Sequence, residues 1–419
     1  MDGREQRGLE IAARCRVVRR GQRWSVPSQS GSGKYTVTGL PFAAAGELPR
    51  CSCPDFELRA QPCKHIYAVR IVIQRELDFG KDGIVTETVS VTKTVKRTYP
   101  QNWSAYNAAQ VHEKDKFMVL LRDLCQGLPE PEQKGKRGRP RLSVRDSVFT
   151  AVMKVYTTAS ARRSMSDLRE AHERGFISKL PCHNSVLNAL ENAELAPVLR
   201  ALIAESSRPL KAVEIDFAVD SSGFTTCRFE PWFDHKYGTV RRQHTWVKAH
   251  IMCGVKTNVV TAIEIHDRNA ADTKQLPSLV DATAQTFAIG EVSADKAYGS
   301  IRNADAIARV GGQPFIALKT NATGRSGFGA WEKMFGYFMY RRDEFLGHYH
   351  KRSNVESTFS MIKRKFGDSL RSKTETAQVN ETLAKVLCHN LVVVIHEMYG
   401  LGIDPVFWAE SAPAKELRA

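Results

Sequence analysis

The sequence predicts a multidomain α/β protein, in which a mixed sheet flanked by helices is preceded by a helical segment and by a small ββα module. Three observations carry this. From residue 211 onward, strand-like runs at 212–220, 245–255 and 258–265 are followed by a helix at 272–287, a strand at 289–295, a helix at 301–310, a strand at 314–319 and a long closing helix. Three short helical patterns, at 143–157, 164–173 and 183–193, precede that region. Near the amino terminus, residues 23–38 read as a hairpin around Ser28-Gln29-Ser30-Gly31-Ser32-Gly33, and 66–75 read as a short helix.

A chain of 419 residues, 42% of them hydrophobic, can bury more than one core, which excludes a mainly disordered chain. Its net charge of +16 points to a polyanionic partner, and Lys and Arg clusters throughout favour nucleic acid over a single acidic ligand. A merely soluble basic enzyme is the plainer alternative. Nine cysteines are an odd number, and six of them (Cys15, Cys125, Cys182, Cys227, Cys253, Cys388) stand singly, so a disulfide framework is not expected and a reducing cytoplasm is. Met1 is followed by Asp2-Gly3-Arg4-Glu5, and the late apolar run 391–395 is too short to span a bilayer. A soluble protein with no membrane association is expected.

Cys51-x-Cys53 is followed after nine residues by Cys63-x-His65. Three thiolates and one imidazole suit one tetrahedral structural Zn²⁺ with no open position. The alternative is that Cys51 and Cys53 are small buried residues of a strand, but Pro54, Pro62 and polar neighbours disfavour it. The strand-strand-helix order with this ligand pattern resembles the SWIM zinc finger, a resemblance that implies DNA or protein binding.

Residues 85–99 alternate Val and Thr with Lys and Ser, and 127–141 become rich in Pro, Gly, Lys and Arg. The stretch 85–142 is therefore read as a linker between a module at 1–84 and a helical segment at 143–206, with the sheet domain at 207–419. Lys136-Arg137-Gly138-Arg139-Pro140-Arg141 closes the linker. Its Gly-Arg-Pro-Arg core resembles an AT-hook, with Arg137, Arg139 and Arg141 for a narrow minor groove. A plain basic linker is an equal reading. Ser164 and Asp167 start the second helical pattern, Gly175 stops it, and Asn184 or Ser185 caps the third. Three helices after a basic arm resemble a helix-turn-helix, with Asn184, Ser185 and Asn188 as base readers. A packing domain without DNA contact is the alternative.

Tyr349, Arg352, Glu356 and Lys363 fall at offsets 0, 3, 7 and 14 on one predicted helix, within roughly 60° around its axis. Asp220 and Asp295 each end a strand-like run. Three separated acids with a basic helical face suit metal-assisted phosphodiester chemistry. Asp216 is a rival for the first acid, set aside because Ser221-Ser222-Gly223 reads as a turn after Asp220. Asp267, Asp272 and Asp343 are rivals in a turn, a helix cap and a loop. Trp331 is read as a core aromatic among Phe328, Phe335, Tyr337 and Phe338, with stacking on an extruded base as the alternative.

The spacing Tyr349-x2-Arg352-x3-Glu356-x6-Lys363, read with Val219-Asp220-Ser221-Ser222-Gly223-Phe224 and Ser293-Ala294-Asp295-Lys296-Ala297-Tyr298, resembles the signature of DDE transposases of the IS4 and IS5 insertion-sequence group. The resemblance spans residues 212–402. Only about sixty residues separate Asp295 from Glu356, which is closer to the IS5 side. The resemblance implies an RNase H-like catalytic domain, in which adjacent first and fourth strands and a crossing last helix bring Asp220, Asp295 and Glu356 together. It implies two Mg²⁺ (or Mn²⁺) ions on those acids and phosphate contacts from Tyr349, Arg352 and Lys363. The implied activity is binding of double-stranded terminal inverted repeats, strand cleavage and strand transfer to target DNA. A homodimer assembled on DNA and a nucleoid-associated place in a prokaryotic cytoplasm go with it. The alternative is a domesticated, catalytically inactive DNA-binding regulator.

Overall fold

The computed structural model describes residues 3–29, 33–40, 49–79, 101–130, 142–226, 246–267, 269–324 and 329–408. The chain divides into two compact units, Met1–Tyr99 and Pro100–Ala419.

In the first unit, α1 (Gly3–Arg14) precedes a four-stranded antiparallel sheet in the order β1 (Val18–Arg20), β2 (Arg23–Pro27), β3 (Lys34–Thr38) and β4 (Arg50–Cys51). The hairpin β2–β3 lies where the sequence placed it. β1 and β2 are joined through Gly21, whose φ of +60° suits a two-residue hairpin loop. α2 (Pro54–Arg59) and α3 (Lys64–Phe79) follow. Period-two alternation puts Trp24, Val26, Val37 and Cys51 on one face of the sheet, where they bury with Ile11, Cys53, Cys63, Ile66 and Val69.

The second unit is built on a five-stranded sheet in the order β7-β6-β5-β8-β9, from β5 (Asp216–Thr225), β6 (Trp246–Gly254), β7 (Val260–Asp267), β8 (Glu291–Ala294) and β9 (Gln313–Ile316). β5, β6 and β7 pair antiparallel, and β8 and β9 run parallel to β5. The strands therefore follow the predicted order, with the first and fourth side by side. β5 departs from expectation in one respect. It does not end at Asp220, because Ser221, Ser222 and Gly223 continue it, paired with His250, Ala249 and Lys248. A composition that favours turns is overridden by a long partner strand that satisfies its backbone groups.

One face of the sheet packs on α10 (Leu276–Ala284), α11 (Ile301–Arg309), α12 (Ala330–Tyr340) and α13 (Arg342–Tyr349). The other packs on α14 (Ser353–Phe366) and α15 (Glu375–Gly400). The helix predicted through Tyr349 and Glu356 is interrupted by a 3-10 turn at His350–Arg352. Ser353 Oγ donates to the His350 carbonyl and Asn354 Nδ2 to the Lys351 carbonyl, both at 2.9 Å, and these polar side chains mark the break.

The predicted helices between 143 and 193 form as α6 (Val144–Tyr156), α7 (Met165–Glu173) and α8 (His183–Glu191). α4 (Trp103–Val111) and α5 (Glu113–Gln126) lie within the stretch read as a linker, and α9 (Leu195–Ser207) follows α8. These helices and the sheet share one buried cluster around α15. Asn390 shows how closely. Its amide donates to Ile203 O, Ser206 Oγ and Val260 O and accepts from Val260 N at 2.8 Å, tying α9 to β7.

His389, beside it, donates from Nε2 to the Asn258 carbonyl at 2.9 Å, and burial holds its pKa down at about 4. In the unfolded chain a histidine titrates near 6.5, so its stabilising neutral state is fully populated above that value and lost as pH falls toward 4. The loss amounts to about 3 kcal/mol for His389. Burial holds His250 down at about 4 as well, and it adds to the same limb. The urea midpoint of the protein should fall steeply between pH 6.5 and 4, and His389→Gln should flatten that fall. Superimposable acid limbs for parent and variant would contradict the assignment.

Candidate functional site

By the alternation of β5, Phe217 and Val219 enter the cluster on the α10 face, while Ala218 and Phe224 enter the one shared with α14 and α15. Asp216, Asp220 and Ser222 take the α14 side, and each meets a cation there. Lys351 Nζ lies 2.8 Å from Asp216 Oδ2, Arg352 Nη1 donates to Asp220 Oδ2 at 3.0 Å, and Lys363 Nζ donates to Ser222 Oγ at 2.7 Å. Nη2 of Arg352 donates to Glu356 Oε1 at 2.6 Å, so one guanidinium joins the strand acid to the helix acid. Asp295 directly follows β8, whose Ala294 is in parallel register with Val219, so Asp220 and Asp295 stand on adjacent strands.

The electrostatics agree with this grouping. Burial pushes the Asp220 carboxyl above its ordinary range, and the charges of Asp295 and Glu356 push it further, while the Ser221 N–H at 2.7 Å and Arg352 pull it back. Asp220, with the charges of Asp295 and Glu356 reaching it and one arginine between it and Glu356, belongs to an oxygen donor set suited to hard divalent cations. Burial lowers the Lys363 pKa, and its Nζ sits 5.4 Å from the Phe224 ring centroid. Tyr349 closes α13 half-buried, packed against the apolar cluster of the α12–α13 face. Trp331 is a core residue, 8% exposed, donating from Nε1 to the Thr323 carbonyl at 3.0 Å.

Behind Asp220, on the opposite face of β5, Ser221 Oγ donates to Asp272 Oδ1 at 3.0 Å, and Lys248 Nζ lies 2.6 Å from the same oxygen. His250 Nδ1 is 3.4 Å from it and 3.2 Å from the hydroxyl of the buried Tyr298. Asp272, expected as a helix cap, is thus a partner of Ser221 and Lys248, and a lysine within the apolar run 245–255 is the only sequence signal of that contact. Asp216, the rival first acid, is held with Glu291 by Lys351, and His348 Nδ1 lies 2.8 Å from Glu291. That cluster could not be read from spacing, because it depends on the register of β5 against β8.

In the first unit, one ligand atom each from Cys51, Cys53, Cys63 and His65 lies within 4.8 Å of every other, and all four residues are buried. His65 Nδ1 is 3.8 Å from both Cys51 Sγ and Cys63 Sγ, which marks it as the nitrogen facing the sulfurs. The Cys51 thiol holds the Cys63 pKa down at about 3, against burial, and His65 assists, while the same contact pushes Cys51 up. A cluster that already favours a thiolate fits a soft cation, and three sulfurs with one nitrogen are a zinc donor set.

Among the proposed DNA readers, Asn184 and Asn188 are exposed on α8, and Ser185 is half-buried with its Oγ 3.2 Å from Cys182 Sγ. The cap of α8 is Cys182, not Asn184 or Ser185, because the extended backbone ends there after Pro181. Arg137, Arg139 and Arg141 lie outside the described residues. Among the described residues, no helix is long and apolar enough to cross a membrane.

Two family models match the chain: the transposase DDE domain over residues 211–391 and the SWIM zinc finger over residues 35–72. No solved structure matches it. The first match encloses Asp220, Asp295, Glu356, Arg352 and Lys363, and the second encloses all four clustered zinc ligands. The chain therefore carries a transposase DDE domain and, amino-terminal to it, a SWIM zinc finger.

Proposed function

We propose that the protein is the transposase of an insertion sequence of the IS4/IS5 type, binding the inverted-repeat ends of its element and carrying out strand cleavage and strand transfer. What supports this reading above all is the meeting of Asp220, Asp295 and Glu356 from β5, the end of β8 and α14. Asp220, Asp295 and Glu356 would hold two Mg²⁺ or Mn²⁺ ions. When bound, such ions activate a water or a 3′-hydroxyl and stabilise the leaving oxygen. The chain's own groups do the rest. Arg352, whose two terminal nitrogens donate to Asp220 and Glu356, would offer the same fork to a phosphate oxygen pair. Lys363 lies two turns beyond Glu356, roughly 10 Å along α14, and contacts the strand one or two nucleotides away. Tyr349 would hydrogen-bond a phosphate oxygen near the cleavage site.

The helical segment 143–206, with Asn184, Ser185 and Asn188, and the basic stretch holding Arg137, Arg139 and Arg141 would recognise DNA, on a homodimer assembled over paired ends. One structural zinc ion would complete the module at 1–84. A cleavage and strand-transfer assay on a duplex carrying the element's end, in Mg²⁺ and in Mn²⁺, tests the reading. Tight binding of the end with no cleavage in either ion would make the protein a DNA-binding regulator instead. Arg352→Ala and Lys363→Ala should each lower the salt dependence of binding to a cleavage-site duplex, by about 0.9 in the slope of log affinity against log salt. A variant with the parental slope would show that its side chain points away from DNA.

A further inference from the structure

The outward face of the sheet in the first unit has a composition that packing does not explain. Residues directly opposite in an antiparallel pair share a face. The registers Arg20↔Arg23, Arg23↔Thr38 and Thr38↔Arg50 therefore lay one row, Arg-Arg-Thr-Arg, across all four strands. The next row is Val18, Ser25 and Thr36, continued by Ser52, whose backbone N–H donates to the Thr36 carbonyl at 3.0 Å. Pro27 and Lys34 form the third row. Among the described residues, these rows thus bear four cations, four hydroxyl residues and no carboxylate. Arg20, Arg23, Arg50 and Lys34 are all exposed, and none has an ion-pair partner among the described residues.

Like charges set directly opposite on neighbouring strands destabilise a sheet. Arg20 against Arg23 is such a pair, in a module too small to bury a large core. By contrast, the basic groove on the helical side of the same unit, lined by Arg4, Arg7, Arg59 and Lys64, is already partly neutralised. Asp55 pairs there with both Arg4 and Arg59, and Lys64 donates to Gln29.

We infer that the outward face of the β1–β4 sheet is a docking surface for the phosphate backbone of duplex DNA, with Arg20, Arg23 and Arg50 as its contacts and Ser25, Thr36, Thr38 and Ser52 as hydrogen-bonding groups between them. The row from Arg20 to Arg50 crosses three inter-strand spacings, roughly 14 Å. That corresponds to about four nucleotides of axial rise. Arginine forks match phosphate oxygens, and hydroxyls bind the same oxygens without reading bases, so the face supplies affinity and register rather than sequence choice. The inference rests on the reading of the chain as a protein that works on DNA, but not on its cutting DNA.

The test uses the full-length protein and a labelled random-sequence 30-base-pair duplex, in buffer without added Mg²⁺ or Mn²⁺, so that strand cleavage plays no part. The triple variant Arg20→Ser, Arg23→Ser, Arg50→Ser should bind on the order of 10- to 100-fold more weakly at moderate salt, with its salt slope reduced by about 2 to 3. The matching Lys triple should keep the parental slope, and Thr36→Glu alone, which places a carboxylate mid-face, should weaken binding with its zinc content unchanged. An unchanged slope in the Ser triple with zinc retained overturns the inference. So does a loss confined to Arg7→Ser/Lys64→Ser in the groove, or one seen with single-stranded RNA and not with the duplex. Parent protein that cuts no element end in Mg²⁺ or Mn²⁺, yet loses duplex affinity in the Ser triple, would refute the transposase reading and leave this surface standing.

Discussion

Glu356→Ala and Asp220→Asn are expected to abolish both strand cleavage and strand transfer, by at least the several orders of magnitude that separate metal-assisted from unassisted phosphodiester chemistry, while affinity for the element's ends stays near the parental value. The two acids meet at Arg352, which donates to Asp220 at 3.0 Å and to Glu356 at 2.6 Å; both are proposed to hold a cation, and neither belongs to the helices proposed to read sequence. Loss of a negative charge beside a phosphate site should, if anything, tighten binding slightly. The measurement is a gel assay of nicking and joining on a synthetic end, run beside a binding titration on the same preparation. Glu356→Ala protein that cut at the parental rate in Mg²⁺ would refute the assignment of the acids.

The second large effect is expected from Cys63→Ser, which should remove close to one zinc per chain and unfold the amino-terminal unit. Cys51, Cys53 and Cys63 are themselves part of its small buried cluster, beside Ile11, Trp24, Val26, Val37 and Ile66. Too few other apolar residues remain to hold the module together, and metal binding contributes folding free energy on the order of 10 kcal/mol in sites of this kind. Elemental analysis reads the zinc, and limited proteolysis reads the unfolding as rapid cutting between residues 3 and 79 while 142–408 resists. Cutting of bare, pre-nicked DNA should suffer less than recognition of ends. Parent protein without zinc would remove the module from the argument.

Much of this was legible beforehand, for identifiable reasons. Strands β5 to β9 and helices α6, α7 and α8 declare themselves through apolar periodicity, and the acids through a spacing whose residue types support one another. The end of β5 did not, because Ser221-Ser222-Gly223 has the composition of a turn and is held extended only by β6. The break at His350–Arg352 was hidden in a run that keeps helical spacing, since two side-chain hydrogen bonds to carbonyls decide it. Helices α1, α2, α4, α5, α9, α12 and α15 have no counterpart among the elements expected from the sequence. Lys351 could not be assigned to Asp216 and Glu291, nor Asp272 to Ser221 and Lys248, because each contact needs two elements distant in sequence to be in register. Long-range pairing is the information that a single sequence carries least openly.

The shared core around α15 limits how the protein can be taken apart. A fragment cut at residue 207 would retain every strand of the sheet and all three acids. It would also strip α4, α5, α6, α8 and α9 from the flank of α15, baring apolar surface that includes Leu383, Leu387 and Leu391, and would leave the Asn390 amide without Ile203 and Ser206. An exposed patch of that kind invites aggregation, and the Asn390 amide would keep only its two bonds to the Val260 backbone. The roles proposed for the helical segment and for the three acids are therefore to be tested by single substitutions and not by trimming the chain.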